Sequence, residues 1–441
     1  RITARFVEVE SGTVTRTVKI DGAIGDIFSL QDKIVYELSQ GMKLHLGDSE
    51  VAAIERQETA SVEAYENRSR AMMNIMDGSP QALEHAILLL EKATTQDPQY
   101  AAAWAALGLA YDFKGSFTSL RELSEKAVTV GRRALQLDPT LTDGHKWLGT
   151  SHLSLGRFDE AMIHHRRMVE LCPTSPQALS NLGTTCAKAG LAEEALDYLR
   201  QAASLDPAHP ELHYNLANGY LAAGRFENAA GAFERATDIS PHHVRGMTSL
   251  GVAYKELGRL DDAEGRFRAA LEVAPGDADA SWNLALARLM KGDWRSGWAA
   301  YECRRQIPGF AMRRLDRPAW DGAPLDGRTL LVHAEQGLGD TIQFMRYLPR
   351  LAEENDGVTF WCQDALARLL AGLSDRLIIV TDPPPRTDLH APLLSLPRLL
   401  GGAPPLVPEP TAYLSAESER ALRWSRALAD SKFNIGIGWQ G

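Results

Sequence analysis

Cysteine is scarce and scattered, with Cys172, Cys186, Cys303 and Cys362 the only four in 441 residues and no C-x-x-C pair among them. That spacing spells neither a disulfide framework nor a cysteine zinc site, and reduced thiols are expected. No apolar run is long enough to cross a bilayer. Basic charge is not in excess either: the formal net charge of −10 argues against the basic face that a nucleic-acid partner needs. The remaining composition, 44% hydrophobic and 24% charged, is that of an ordinary water-soluble protein, and the length suggests two or three domains. The chain begins at Arg1 rather than Met and breaks off inside an expected strand at Gly441. It reads as a piece of a longer protein, so the missing signal peptide carries no information. The expected location is cytoplasmic, with a targeting segment upstream left open.

What the chain does have is a register. Gly156, Gly190, Gly224, Gly258 and Gly292 each follow the last by 34 residues. Pro139, Pro173, Pro207, Pro241 and Pro275 keep the same step, as do Ala161, Ala195, Ala229 and Ala263, and Leu148, Leu182, Leu216, Leu250 and Leu284. A fixed period of this length signals stacked supersecondary units. Within each unit an apolar-periodic segment, a glycine, a second such segment and a proline stop predict two short antiparallel helices. The glycine suits the left-handed residue that closes the first helix, and the proline ends the second because it has no N–H to donate.

Leu250-Gly251, Tyr254, Gly258, Ala263, Phe267, Ala270 and Pro275 together resemble the tetratricopeptide repeat. The resemblance implies an α-solenoid over residues 58–304. Glu58 to Tyr100 reads as an irregular first repeat, and the next unit is seven residues longer, an insertion expected in the turn around Lys114 to Ser119. In the last unit Gly297 replaces the ladder alanine, and Trp294, Trp298 and Tyr301 are expected to pack on whatever domain follows.

Ahead of the repeats, Ile2 to Val9 and Val14 to Ile20 alternate about a Glu10-to-Thr13 turn and predict a hairpin, and Ile24 to Leu46 has helical spacing. Residues 1–57 therefore read as the tail of a truncated α/β domain. Thr3-Ala4-Arg5, Val9 to Gly12 and Asp26 to Asp32 resemble a small domain that precedes such repeats in some bacterial regulators and envelope proteins. A signal-regulated repeat protein is one functional alternative on that ground.

After a polar connector, 305–328, the period changes. Strand-like runs at Thr329 to Ala334, Val358 to Cys362 and Leu377 to Val380 alternate with helices at Thr341 to Glu354 and Asp364 to Leu373; a helix at Ala416 to Ala429 and a strand from Phe433 to Trp439 follow. This order predicts a parallel sheet with helical crossovers. Glu335-Gln336-Gly337-Leu338-Gly339-Asp340 sits where the first strand hands over to a helix, the place where open α/β sheets bind ligands. Ile342 stands where a dinucleotide fingerprint needs its third glycine, which argues against the dehydrogenase reading.

Leu330 to Val332, Gly337-x-Gly339-Asp340 and Gln343-Phe344-x-Arg346-Tyr347-Leu348-Pro349 resemble the amino-terminal half of a bacterial heptosyltransferase, and Asp388 to Pro397 and Gly436 to Trp439 fit as well. The resemblance implies that residues 329–441 form a Rossmann-like half of a GT-B glycosyltransferase whose carboxy-terminal half is missing. It implies that Asp340 is the base for an acceptor hydroxyl. Glu335, Gln336, Gly337, Gly339 and His390 are candidates for the acceptor cleft. A nucleotide-sugar donor is expected for the full-length protein and no cofactor for this fragment. The competing reading of Asp340 is a helix-capping or first-turn carboxylate.

Asn181, Asn215 and Asn283 share one repeat position, with Ser249 in the gap. Amides at a repeated position line one surface and can grip the backbone of an extended peptide. This resembles the asparagine ladder of O-GlcNAc transferase, which also joins repeats to a transferase. His164-His165 and His242-His243 point about 100° apart on a helix, so no metal is expected and they read as surface residues. The expected function is a repeat scaffold that binds a protein or peptide and presents it to a glycosyltransferase-like domain; the alternative is an interaction scaffold with an idle domain.

Overall fold

The structure, a computed structural model, describes residues 2–7, 14–20, 58–118, 121–307, 315–335, 337–401, 414 and 418–427. The chain divides into two compact units, Arg1–Ile239 and Ser240–Gly441.

In the first unit, β1 (Ile2–Val7) and β2 (Val14–Ile20) form the expected antiparallel hairpin, with Ile2 opposite Ile20 and a register shift between Phe6 and Val7. The helix expected over 24–46 lies outside the described residues. Five antiparallel helix pairs follow: Val62–Asp77 with Pro80–Gln96, Ala101–Thr118 with Arg121–Leu137, Thr142–Ser154 with Phe158–Leu171, Pro176–Lys188 with Ala192–Leu205, and Pro210–Ala222 with Phe226–Ile239. The second unit continues with Val244–Glu256 and Leu260–Val273, then Ala278–Met290 and Trp294–Tyr301.

The ladders have the physical roles their chemistry suggests. The five ladder glycines all have φ between +68° and +83°, the left-handed region in which a side chain is strained. At the first of them, Gly156 N–H donates to Leu153 O at 3.1 Å and Arg157 N–H reaches back to His152 O at 2.9 Å, satisfying carbonyls at the end of the helix. Each second helix stops two residues before its proline, at Leu137, Leu171, Leu205, Ile239 and Val273. The ladder alanines are fully enclosed, so nothing larger fits between the paired helices. Gly251 makes a similar approach possible in the second unit, where an added Cβ would lie 2.5 Å from the Phe267 ring.

The seven-residue insertion is not a longer turn. Helices of 18 and 17 residues replace the 13 and 14 of a regular unit, and Lys114 to Thr118 are helical. The only breaker in that stretch is Gly115, which costs a helix about 1 kcal/mol, too little to end one that packs on its partner.

Downstream in the second unit, β3 (Leu330–His333), β4 (Val358–Trp361), β5 (Ile378–Val380) and β6 (Leu389–Pro392) form a small parallel sheet in the order β5-β4-β3-β6. Leu330, Val332, Val358 and Phe360 are completely buried in its core. The crossover after β3 is not the single helix expected over 341–354. It begins at Leu338, runs to Phe344, tightens into a 3-10 turn over Met345–Tyr347 and resumes as Leu348–Glu354. Pro349 forces the break, since its ring would clash with the carbonyl four residues earlier. Two of the three aromatics expected to dock do so: Trp298 meets Phe344 edge-on at 5.6 Å, and Trp298 and Tyr301, but not Trp294, pack against the core of the sheet. No helix among the described residues is long and apolar enough to cross a membrane.

Candidate functional site

The β3 strand ends at the stretch in which the candidate residues cluster. Gly337, not Asp340, is the N-cap of the following helix, and Asp340 lies in its first turn, partly exposed. A carboxylate there interacts favourably with the helix dipole. Burial pushes the Tyr301 phenol up, the Arg304 charge opposes this, and the Asp340 charge adds to the upward shift. Gly339 and Gly337 are exposed, and an added Cβ on Gly339 would meet nothing, so backbone at this turn is open to approach. Gln336 lies outside the described residues.

Glu335 is engaged elsewhere. Its side chain is 2% exposed and both oxygens accept from Arg304 Nη2, at 3.1 and 3.2 Å. Leu394 N–H donates to Glu335 Oε2 at 2.9 Å. Arg304 is itself fully enclosed: its Nη1 donates to Glu302 Oε1 at 2.8 Å, and its Nη2 to Ser395 Oγ at 2.8 Å. Burial pushes the Glu335 carboxyl up, while Arg304 and the Leu394 amide oppose the shift. In this arrangement Glu335 anchors the start of the Gly337–Asp340 turn to the last repeat and to the segment after β6. It does not face an open cleft.

His390 is buried in β6, opposite Leu331 in the middle of β3 and short of the strand's carboxyl end. Its ring stacks on that of His333 at 5.4 Å, with Nδ1 3.3 Å from His333 Nε2. Burial, aided by Arg305 and Arg317, holds its pKa below the ordinary imidazole value. Among the described residues no group of three or more His, Cys, Asp or Glu is arranged to hold a metal.

The repeat amides are half-buried, as is Ser249. In the first unit, Gln177 Nε2 donates to Asn181 Oδ1 at 3.0 Å, and Asn215 Nδ2 donates to Ser180 Oγ of the preceding repeat at 3.0 Å. In the second, Asn283 Oδ1 accepts from Lys255 Nζ at 3.1 Å. These bonds orient the amides and use only part of their capacity of two donors and two lone pairs.

The first histidine pair departs from the surface expectation. His165 is 1% exposed, with Nδ1 2.7 Å from Thr185 Oγ1. His164 is half-buried, 3.2 Å from His145 between Nδ1 atoms, and stacks on His152 at 5.8 Å. Packing of helices Thr142–Ser154 and Phe158–Leu171 brings His145 and His152 onto His164, a proximity that adjacency in sequence does not reveal, while His165 turns to Thr185. Arg304, Glu302 and Ser395 were likewise illegible, because their partners lie up to 93 residues away.

Residues 181–244 and 220–289 match family models described as tetratricopeptide repeat. A stretch of 95 residues is 36% identical to Protein FlbA of Caulobacter vibrioides, covering 21% of this chain and 15% of that protein. Among solved structures, MamA aligns with 26% identity over 37% of this chain and 93% of its own, at a TM-score of 0.31. TTC0263, a tetratricopeptide-repeat protein of Thermus thermophilus, aligns with 24% identity over 43% and 99%, at 0.38. The chain carries tetratricopeptide repeats, an architecture for protein interaction.

Proposed function

We propose that the repeats capture an extended polypeptide segment through the amides at their shared position. The observation that carries this reading is the orientation of Asn181, held by Gln177 and Met168, and of Asn215, held by Ser180, each left with donor or acceptor capacity. Such contacts address a peptide backbone and tolerate many sequences. Fluorescence anisotropy with a library of unstructured peptides tests it. The double substitution Asn181→Ala and Asn215→Ala, both within the first unit, is expected to weaken binding about tenfold or more while thermal unfolding stays nearly unchanged. Unaltered affinity refutes the reading, and a large loss of stability assigns the amides to packing.

A second reading concerns the sheet. The Gly337–Asp340 turn follows a central parallel strand, and Asp340 is partly exposed in the first helical turn. That position supports glycosyl transfer from a nucleotide-sugar to a hydroxyl, with Asp340 taking the hydroxyl proton. In the full-length protein Asp340→Asn preserves size and is expected to lower turnover about 100-fold or more with donor binding little changed. Normal turnover in the variant makes Asp340 a first-turn carboxylate only. Absence of any nucleotide-sugar binding or turnover in the wild type leaves the interaction scaffold as the whole function.

A further inference from the structure

Beside the carboxyl edge of the second unit's sheet, Glu302 gathers three guanidinium groups on one carboxylate. Arg304 Nη1 donates to Glu302 Oε1 at 2.8 Å, and Ser395 Oγ donates to the same oxygen at 2.9 Å. Arg305 Nη1 approaches Oε2 only to 3.7 Å and Arg398 Nε approaches Oε1 only to 3.8 Å, both too long for hydrogen bonds. Arg305 lies in the 3-10 turn Glu302–Gln306 that follows the last repeat helix, and Arg398 in the short helix Leu396–Leu399 after β6. Contacts of Arg304 with Glu335 and Ser395, and of Glu335 with the Leu394 amide, fix both segments where β3 and β6 end. Open parallel sheets bind their ligands outside that edge.

Arg305 and Arg398 are loosely held. Their side chains are 41% and 38% exposed, and neither donates a hydrogen bond to any of the described residues. Solvent-facing ion pairs of this kind contribute little, so the two cations can exchange Glu302 for a better acceptor. Glu302 meanwhile keeps the fully enclosed Arg304 and Ser395. Even with Glu302 and Glu335 both ionised, the cluster sets three arginines against two carboxylates, a local positive excess in a chain whose formal net charge is −10. Burial pushes the Glu335 carboxyl up, which enlarges that excess. The Arg305 charge also reaches His390, where it adds to burial in holding the imidazole below its ordinary value.

We propose that Arg305 and Arg398 together bind a phosphoryl group, its oxygens replacing the two long contacts to Glu302. A guanidinium presents N–H groups in a fork that matches phosphate oxygens, and two such groups on one anion add charge neutralisation to that fit. A phosphate ester carries about 1.5 to 2 negative charges at neutral pH, more than acetate or chloride. The site does not depend on a role for Asp340 or for the repeat amides. Calorimetric titration of the full chain at fixed ionic strength tests it with inorganic phosphate, a hexose phosphate and a nucleoside diphosphate, against chloride and acetate as singly charged controls. Saturable binding of the phosphoryl ligands is expected, with affinity lowered about tenfold or more by Arg305→Gln and by Arg398→Gln. Both side chains are exposed, so each variant keeps its fold and tests the site without the other. Tighter binding of an ester than of inorganic phosphate assigns the site to a phosphorylated substrate, and equal binding assigns it to the free anion. Failure of all three to bind overturns the proposal, as does binding that neither substitution weakens or that chloride at the same ionic strength matches.

Discussion

Replacing His165 by glutamine should flatten the acid limb of the stability profile of the first unit. Burial holds His165 down to about 4, partly opposed by its contact with the Lys146 carbonyl, and burial does the same to His164, aided by His145, His152, His165 and Arg132. His152 is lowered as well, by burial first and then by Arg132. These rings are neutral in the folded state at pH values where the unfolded chain, with imidazoles near 6.5, already binds protons. Stability is therefore complete above about pH 6.5 and declines as pH falls from there toward about 4, where the folded rings take up protons too. The slope is up to about 1.4 kcal/mol per pH unit for one fully buried histidine. For His165 alone the window of about 2.5 units sets an upper limit of about 3 kcal/mol. His164 is half-buried, and solvent screening reduces its share.

The hydrogen bonds sharpen the argument. His145 Nε2 lies 3.1 Å from Pro139 O, an acceptor, so that nitrogen carries the proton and Nδ1 is bare in the neutral ring. His164 must then donate from its own Nδ1 across 3.2 Å. His165→Gln keeps a polar group near Thr185 and removes one titration. At neutral pH the variant should lose about 1–2 kcal/mol through packing and one hydrogen bond. Urea midpoints at constant ionic strength between pH 4 and 7 measure the global effect, and amide exchange over residues 142–188 localises it. Carboxylates titrate in the same window, so the decisive quantity is wild type minus variant. A difference that does not change with pH refutes a neutral, depressed His165.

Two further outcomes follow from the packing. Arg304→Ala leaves the enclosed Glu335 without its cation, while Glu302 keeps Arg305 and Arg398, and should destabilise the second unit by about 3–5 kcal/mol, read from thermal unfolding by the fluorescence of Trp298 and Trp320; a loss below about 1 kcal/mol would show that the ion pair is replaceable by water. Gly258→Ala should cost about 1–2 kcal/mol by urea unfolding, all of it backbone strain, because φ is +74° and nothing lies within 4 Å of the added Cβ. An equal loss in Gly258→Asn would refute that cause, since asparagine tolerates the left-handed region.

Features that are local or periodic were legible in the chain alone. Left-handed closure at Gly156 through Gly292, helix ends just before Pro139 through Pro275, the alanine approach and the hairpin of Ile2 and Ile20 all depend on backbone preferences within a few residues, repeated until chance is excluded. The parallel sheet was legible for the same reason, because buried strands alternate with helical runs. The 3-10 interruption at Met345–Tyr347 also had a local cause in Pro349, although the apolar spacing obscured it. Features that join groups far apart in sequence came from packing alone. Arg304 meets Glu335 across 31 residues and Ser395 across 91; His145 and His152 pack on His164; and Asp112, Arg121 and Ser154 share one pocket. A charged or polar side chain reads the same in sequence whether solvent or protein satisfies it. Folding decides which, because desolvation is set by neighbours that chain order does not specify.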